Sequence, residues 1–100
     1  MLKRNYFVYI TSNPKKTVLY TGITNDLQVR LQQHFENKGN PGTFAGKYFC
    51  YKLLYYERFS DVNMAIDREK EIKDMSREKK VELIKLMNPY LGFLVVTGLE

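Results

Sequence analysis

The chain begins with two runs in which hydrophobic and polar positions alternate. Residues 6–11 and 17–23 are rich in β-forming side chains, and the link between them is short, polar and rich in turn-forming residues. Alternation predicts strands, and two strands joined in this way predict an antiparallel hairpin. With Tyr9 opposite Tyr20, both faces of the hairpin carry apolar side chains, so we expect both faces to be covered.

The spacing of apolar residues then becomes helical. Leu27, Leu31 and Phe35 recur at every fourth position after three residues with N-cap chemistry, which predicts a helix that ends near residue 37. Glycine and proline interrupt the next five residues, so we predict a loop there. An aromatic run with loose alternation predicts a third strand over residues 48–59.

Two more helices follow. A cap at Ser60 or Asp61 predicts a helix to about residue 75, and a cap at Ser76 predicts a helix that Pro89 ends. The predicted order is therefore strand, strand, helix, strand, helix, helix. This order is typical of the α/β class, with a small three-stranded antiparallel sheet flanked by helices.

Length and composition predict one cytoplasmic domain over residues 1–100. A chain of 100 residues with 44% hydrophobic side chains suits a single packed core. The apolar segment 93–96 fits either a late strand or a piece of chain packed on that core. Cys50 is the one cysteine, and its aromatic strand neighbours predict an inert, buried thiol. We find neither a signal-like start nor a run of about 18 apolar residues, so we expect no membrane partner.

The balance of charge is basic. The net charge is +5 and the pI is about 9.3, which favours a polyanionic partner because lysine and arginine release counterions from nucleic acid. For the mixed-charge run from Arg68 to Lys80, an ordinary solvated helix face is the alternative. The candidate phosphate contacts are Lys15, Lys16, Lys38, Lys47 and Lys73.

An unexpected carboxylate lies on the second predicted helix. On a helical wheel, Glu69 falls in the middle of an apolar stripe that includes Ala65, Ile66 and Ile72. A charge on a core-facing stripe is costly unless it is paired or binds a metal. The sequence leaves both explanations open, a buried salt bridge or a metal ligand.

The first predicted helix carries a matching polar pair. Arg30 and His34 are four residues apart, so they share one side of the helix at the edge of its apolar stripe. Both residues also have a purely structural explanation. Arg30 could pack its aliphatic stem along the core, and His34 could be a hydrogen-bonded core histidine. One cysteine and one histidine exclude the usual zinc sites, and no glycine-rich phosphate loop precedes a helix.

Together these residues resemble the GIY-YIG nuclease superfamily, and in particular its small standalone bacterial group. Phe7-Val8-Tyr9 corresponds to the first motif of the family and Tyr20-Thr21-Gly22 to the second, although Phe7 replaces the leading glycine and Thr21 the central isoleucine. The spacing to Arg30 and His34 and the segment around Glu69 also match. The resemblance covers about residues 5–89, and the tail after Pro89 departs from the group.

The resemblance implies a metal-dependent endonuclease that hydrolyses phosphodiester bonds in DNA and selects for structure in repair or recombination. It implies that Glu69 is the one protein ligand of a single Mg²⁺ or Mn²⁺ ion, a coordination that suits Mg²⁺. We expect Tyr9 to act as general base, with Arg30 either favouring its phenolate or binding the scissile phosphate directly. Tyr20 and His34 would position the water or the phosphate, and Gly22 would let the backbone turn closely before the helix. The implied catalytic residues are Tyr9, Tyr20, Arg30, His34 and Glu69.

Other functions remain compatible with the sequence. The chain could be a catalytically silent nucleic-acid-binding module of the same fold, or an interaction protein with a dimer seam along residues 48–59 and the tail. RNA also fits the chemistry, because the proposed hydrolysis does not require a missing 2′-hydroxyl. We expect a monomer or a weak homodimer.

Overall fold

A computed structural model describes residues 4–96 of the chain. Three antiparallel strands form one sheet in the order β2-β1-β3, and helices cover both of its faces. The predicted fold class and the order of the six predicted elements are confirmed, with one additional short helix. The elements are β1 (Tyr6–Ser12), β2 (Leu19–Thr24), α1 (Leu27–Glu36), α2 (Phe44–Lys47), β3 (Lys52–Phe59), α3 (Val62–Lys73) and α4 (Arg77–Met87).

The central strand β1 divides the core into two layers. Val8 and Ile10 are fully buried against a layer that includes Ala65 of α3 and Ile84 of α4. Phe7 and Tyr9 point to the other face, where Leu27 of α1 packs against them. Side chains alternate across a strand, so a strand buried on both faces needs apolar residues at nearly every position. The expectation that both faces are covered is confirmed.

The register of the hairpin differs from the predicted one by two residues. Tyr9 pairs with Gly22, and Thr11 rather than Tyr9 lies opposite Tyr20. The link is longer than predicted because the Asn13 side chain organises it: Asn13 Oδ1 accepts hydrogen bonds from the backbone N–H groups of residues 17 and 18 at 2.8 and 3.0 Å. A register shift of two residues leaves each side chain on the same face of the sheet, so Tyr9 and Tyr20 still lie on one face, as predicted.

The chain before β3 also differs from the prediction. Residues 44–47 form the short helix α2, and β3 begins at Lys52 rather than at residue 48. Thr43 caps α2, since its Oγ1 accepts a hydrogen bond from the N–H of Gly46 at 3.1 Å. Cys50 therefore lies outside the strand, but it is 1% exposed and burial raises the pKa of its thiol, as expected for an inert cysteine.

The remaining boundaries follow local signals. Backbone N–H groups of the first turn donate to a capping side chain at the start of each longer helix, and these caps are Asp26, Asp61 and Ser76. The tail packs on the core without forming a strand: the N–H of Leu94 donates to the carbonyl of Leu53 at 2.9 Å. Residues 97–100 of the predicted tail lie outside the described residues. Within residues 4–96, no helix has the length and apolar character needed to cross a membrane.

Candidate active site

Strands β1 and β2 and helix α1 bring three predicted catalytic rings together. Tyr9 lies in β1 and is fully buried, while His34 lies in the last turn of α1. Tyr9 Oη and His34 Nε2 are hydrogen-bonded at 2.7 Å. The Tyr20 ring completes the cluster, with its centroid 5.4 Å from that of His34 and 6.3 Å from that of Tyr9. Residues that are 25 positions apart in sequence thus form one polar aromatic site.

Gly22 lies inside β2 rather than in a turn, so the expected backbone turn at this residue is wrong. Its importance comes from the space that its missing side chain leaves. A Cβ at this position would lie 2.5 Å from Tyr9 Oη and 3.0 Å from Cε2 of Tyr20. Any larger residue would therefore displace the Tyr9 ring, which identifies Gly22 as a positioning residue for the phenol.

Burial sets the protonation of the Tyr9–His34 pair. Burial raises the pKa of Tyr9 well above its usual value of 10, and the charge of Tyr20 adds to this effect; Arg30 opposes both but does not overcome them. Burial and then the charge of Arg30 lower the pKa of His34. The sequence-based expectation that Arg30 favours the phenolate is therefore correct only in direction. The pair is a phenol and a neutral imidazole at neutral pH.

A cleft of about 410 Å³ lies beside the three-ring cluster. Arg30 lines it from α1, and the Arg30 guanidinium donates a hydrogen bond to Gln33 Oε1 at 3.3 Å. Tyr9 has no exposed surface, so His34 and Tyr20 are the members of the cluster that face the cleft. Its lining includes Tyr20, Arg30, Gln33, His34, Glu36, Thr43 and Phe44.

Glu69 has the burial that its place on the helical stripe predicts. Its side chain is only 16% exposed, and its neighbours Ala65 and Ile72 on α3 are fully buried. The nearest cation is Lys73, whose half-exposed Nζ lies 3.6 Å from Glu69 Oε2, a loose contact for a salt bridge. The carboxylate is close enough to raise the pKa of Tyr9, which connects it electrostatically to the three-ring cluster.

The donor set around Glu69 suits a hard divalent cation. Within residues 4–96, no group of three or more histidine, cysteine or acidic side chains lies together. A metal held there would have one carboxylate ligand, and Mg²⁺ commonly combines one or two carboxylates with waters and phosphate oxygens. The residues that are present therefore fit the implied ion, with Glu69 as its ligand.

Comparison with known proteins identifies the family. The GIY-YIG catalytic domain matches residues 5–82, which is most of the chain. The chain belongs to the GIY-YIG family. The resemblance stated from the motifs is therefore confirmed, and the chain carries a nuclease-type fold.

The relatives of this GIY-YIG domain are small proteins of similar length. A UPF0213 protein of Syntrophus aciditrophicus is 39% identical over 88% of this chain and 97% of the relative. A UPF0213 protein of Staphylococcus aureus is 35% identical over 81% and 95%. The solution NMR structure of the UPF0213 protein BH0048 from Bacillus halodurans has a TM-score of 0.55 and 28% identity, over 86% of this chain and 88% of that one. None of these names states an activity.

The predicted lysines of the GIY-YIG domain lie at different places relative to the site. Lys47 belongs to α2, next to the cleft, and Lys38 Nζ lies 3.7 Å from the Phe35 ring centroid at the end of α1. Lys73 contacts Glu69. Lys15 and Lys16 lie in the hairpin link, where Lys16 Nζ packs over Phe93 of the tail, away from the cleft lining.

Sequence reasoning missed the wall of the cleft that α2 supplies. Phe44 and Thr43 line it, and Gly46 lets α2 pack tightly, since a Cβ there would lie 2.7 Å from the carbonyl oxygen of Asn40. Thr43 is a typical helix N-cap and directly precedes the four residues of α2. The neighbouring glycines favoured the prediction of a loop instead. The segment after the predicted glycine- and proline-rich loop is thus a built part of the site.

Proposed function

We propose that this GIY-YIG domain is a metal-dependent endonuclease that hydrolyses phosphodiester bonds in DNA. The observation that carries the proposal is the hydrogen-bonded Tyr9–His34 pair beside a cleft into which Arg30 projects. A nuclease needs a group to activate water, a cation for the phosphate and help for the leaving oxygen. Residues of suitable chemistry for all three needs lie at or near one site.

Arg30 is the proposed phosphate-binding residue. Its guanidinium lines the cleft, donates to Gln33 Oε1 and interacts with the Tyr9 hydroxyl. A guanidinium has five N–H donors, so further donors are available. Guanidinium groups bind phosphate oxygens in bidentate geometry and keep their charge at any physiological pH. Tyr20, on the same wall, would orient the bound strand.

His34 is better placed than Tyr9 to accept the proton of the attacking water. Tyr9 is fully buried and its raised pKa holds it as a phenol, whereas His34 faces the cleft as a neutral imidazole. If His34 Nε2–H donates to Tyr9 Oη, Nδ1 is free to accept a proton. We therefore assign the proton to His34 and the orientation of its ring to Tyr9.

Glu69 is the proposed ligand of one Mg²⁺ or Mn²⁺ ion. When bound, the ion would neutralise charge on the phosphate and on the leaving oxygen. The carboxylate suits this role because it is mostly buried and only loosely contacted by Lys73. Activity in repair or recombination, with selection for DNA structure, is part of the proposal, and RNA fits the same groups.

Nicking of supercoiled plasmid tests this function. The assay compares Mg²⁺, Mn²⁺ and chelator, using the wild-type chain, Glu69→Gln and the control Glu82→Gln on an exposed face of α4. We expect metal-dependent nicking that Glu69→Gln abolishes and Glu82→Gln retains. Full activity of Glu69→Gln would refute the metal assignment.

Binding without cleavage is the second candidate function. The raised pKa of Tyr9 favours it only if Tyr9, rather than His34, is the required base, because a buried phenol is a poor base. DNA binding by the wild-type chain, with no nicking of plasmid, branched or single-stranded DNA under any metal, would establish this alternative.

A further inference from the structure

The mouth of the cleft carries exposed aromatic rings that the hydrophobic core does not use. Phe44 is 51% exposed although it has no polar atom, and Tyr48, one turn later, is 39% exposed. Their ring centroids are 4.7 Å apart. Phe44 also lies nearly parallel to Tyr20, at 25° with a centroid distance of 6.2 Å, so the aromatic surface continues into the catalytic cluster.

The segment that presents Phe44 is held rigidly. The N–H of Gly39 donates to the carbonyl of Gly46 at 2.8 Å, and the N–H of Cys50 donates to that of Ala45 at 2.8 Å. Asn37 Nδ2 donates to Thr43 Oγ1 at 3.2 Å, which connects the end of α1 to the cap of α2. With its backbone held in this way and its ring packed against Tyr20 and Tyr48, Phe44 can bind a flat partner with little loss of conformational freedom.

Charge around the rings favours an anionic strand. Lys47 Nζ lies 5.4 Å from the Tyr48 ring centroid, and Arg30 lies on the cleft wall. Glu36 also lines the cleft, but it follows Arg30 by six residues, about 9 Å along α1. A phosphate is therefore expected near Arg30, with the aromatic rings available for the attached base.

We propose that Phe44, braced by Tyr48, is a stacking platform for an unpaired nucleobase next to the scissile phosphate. The inference rests on the proposed function and narrows its substrate to DNA with unpaired nucleotides, such as single strands or branched ends. Base-on-aromatic stacking is typical of proteins that hold single strands. Paired bases in an intact duplex cover one another and offer no free face. The volume of the cleft, about 410 Å³, lies in the range of small-ligand sites.

Binding in chelator tests the platform without cleavage. Fluorescence anisotropy would follow three labelled 12-mers: a mixed-sequence single strand, the same backbone with abasic sites, and a duplex. Stacking is worth about 1–3 kcal/mol per base, so we expect Phe44→Ala to weaken single-strand binding about 5- to 150-fold. Binding of the abasic strand and the slope of affinity against salt should not change, and Phe44→Trp should restore affinity.

Phe49→Ala is the matched control, because Phe49 is 47% exposed in the same segment but does not line the cleft. We expect it to bind like the wild-type chain, with circular dichroism confirming that each variant folds. Equal weakening of intact and abasic strands by Phe44→Ala, or equal losses in both alanine variants, would overturn the platform. A Phe44→Ala change from dimer to monomer would also overturn it, since the rings would then join two copies.

The same experiment separates the two proposals. A wild-type chain that nicks plasmid but binds single strand and duplex alike, without dependence on Phe44, refutes the platform and leaves the nuclease in place. A wild-type chain that binds none of the three probes overturns the platform, and the plasmid assay then decides the nuclease independently.

Discussion

Replacing Gly22 with alanine is the sharpest test of the site geometry. The added Cβ would lie 2.5 Å from Tyr9 Oη and 2.6 Å from its Cζ. Ordinary contact begins near 3.4 Å, so the ring must move by about 0.9 Å. Tyr9 is fully buried in the central strand, and the shift would break its hydrogen bond to His34.

Crowding of a packed core costs about 1–3 kcal/mol. Each kcal/mol lowers the melting temperature of a domain this size by about 4–8 °C. We therefore expect Gly22→Ala to lower the free energy of unfolding by about 1–3 kcal/mol. Urea unfolding monitored by far-UV circular dichroism measures this change. Nicking activity of Gly22→Ala should be lower than that of the wild-type chain even when both proteins are assayed well below their melting temperatures. Unfolding alone would then not account for the loss.

Gly92→Ala provides the control. A Cβ there would have one neighbour, Asn88 Oδ1 at 3.9 Å, which is ordinary contact. An alanine that fits without strain stabilises a protein by about 0.4–1 kcal/mol, because it restricts the unfolded chain. Equal unfolding free energies for Gly22→Ala and the wild-type chain would refute the placement of the Tyr9 ring over Gly22.

Four other predictions concern charge and protons. Arg68→Ala removes charged hydrogen bonds at 2.9–3.1 Å from Glu57 and should cost about 1.5–3 kcal/mol in urea unfolding; a loss under 0.5 kcal/mol would contradict a structural role. Folding lowers the pKa of His34, so protonation of His34 destabilises the folded state. The free energy of unfolding should be highest above pH 6.5 and decrease as the pH falls through that value, and His34→Gln should lack this decrease. His34→Gln should lose more nicking than Tyr9→Phe, and the reverse order would make Tyr9 the base. Lys47→Ala should reduce the salt slope of DNA binding by about one if it contacts a phosphate.

Local signals explain which parts of the fold the sequence predicts. Asp61 and Ser76 cap their helices through bonds to the first turn, and such bonds depend only on nearby residues. Three candidate site residues depart from the local pattern: Glu69 on its apolar stripe, and Arg30 and His34 at the edge of theirs. Tyr9 and Tyr20 fit the strand pattern and were chosen only through the family motifs. The juxtaposition of the site residues was available only through the family motifs, because it depends on contacts between distant elements.

The errors arise where particular side-chain and backbone contacts, rather than periodicity, decide the local structure. The hairpin register depends on the hydrogen bonds of Asn13, and no periodicity encodes them. Helix α2 has only four residues, too short for a periodic pattern, and it exists because Gly46 fits against the carbonyl of Asn40. The exposed face of Phe44 could not be predicted without that helix.

Burial of Tyr9 has two consequences that act in opposite directions. It fixes the phenol within hydrogen-bond distance of His34, and it also raises the pKa of the phenol, so that Tyr9 orients its partner better than it accepts protons. Arg30 opposes the raised pKa of Tyr9 and lowers that of His34, which keeps the imidazole neutral and able to take a proton. Burial thus holds the pair as a phenol and a neutral imidazole, and Arg30 supports this state only at His34. Under the proposed function, the remaining N–H donors of Arg30 are available for a phosphate. Arg30→Lys keeps the charge but loses the planar donor fork, so it should preserve the pKa of His34 in an NMR titration and weaken binding of the strand.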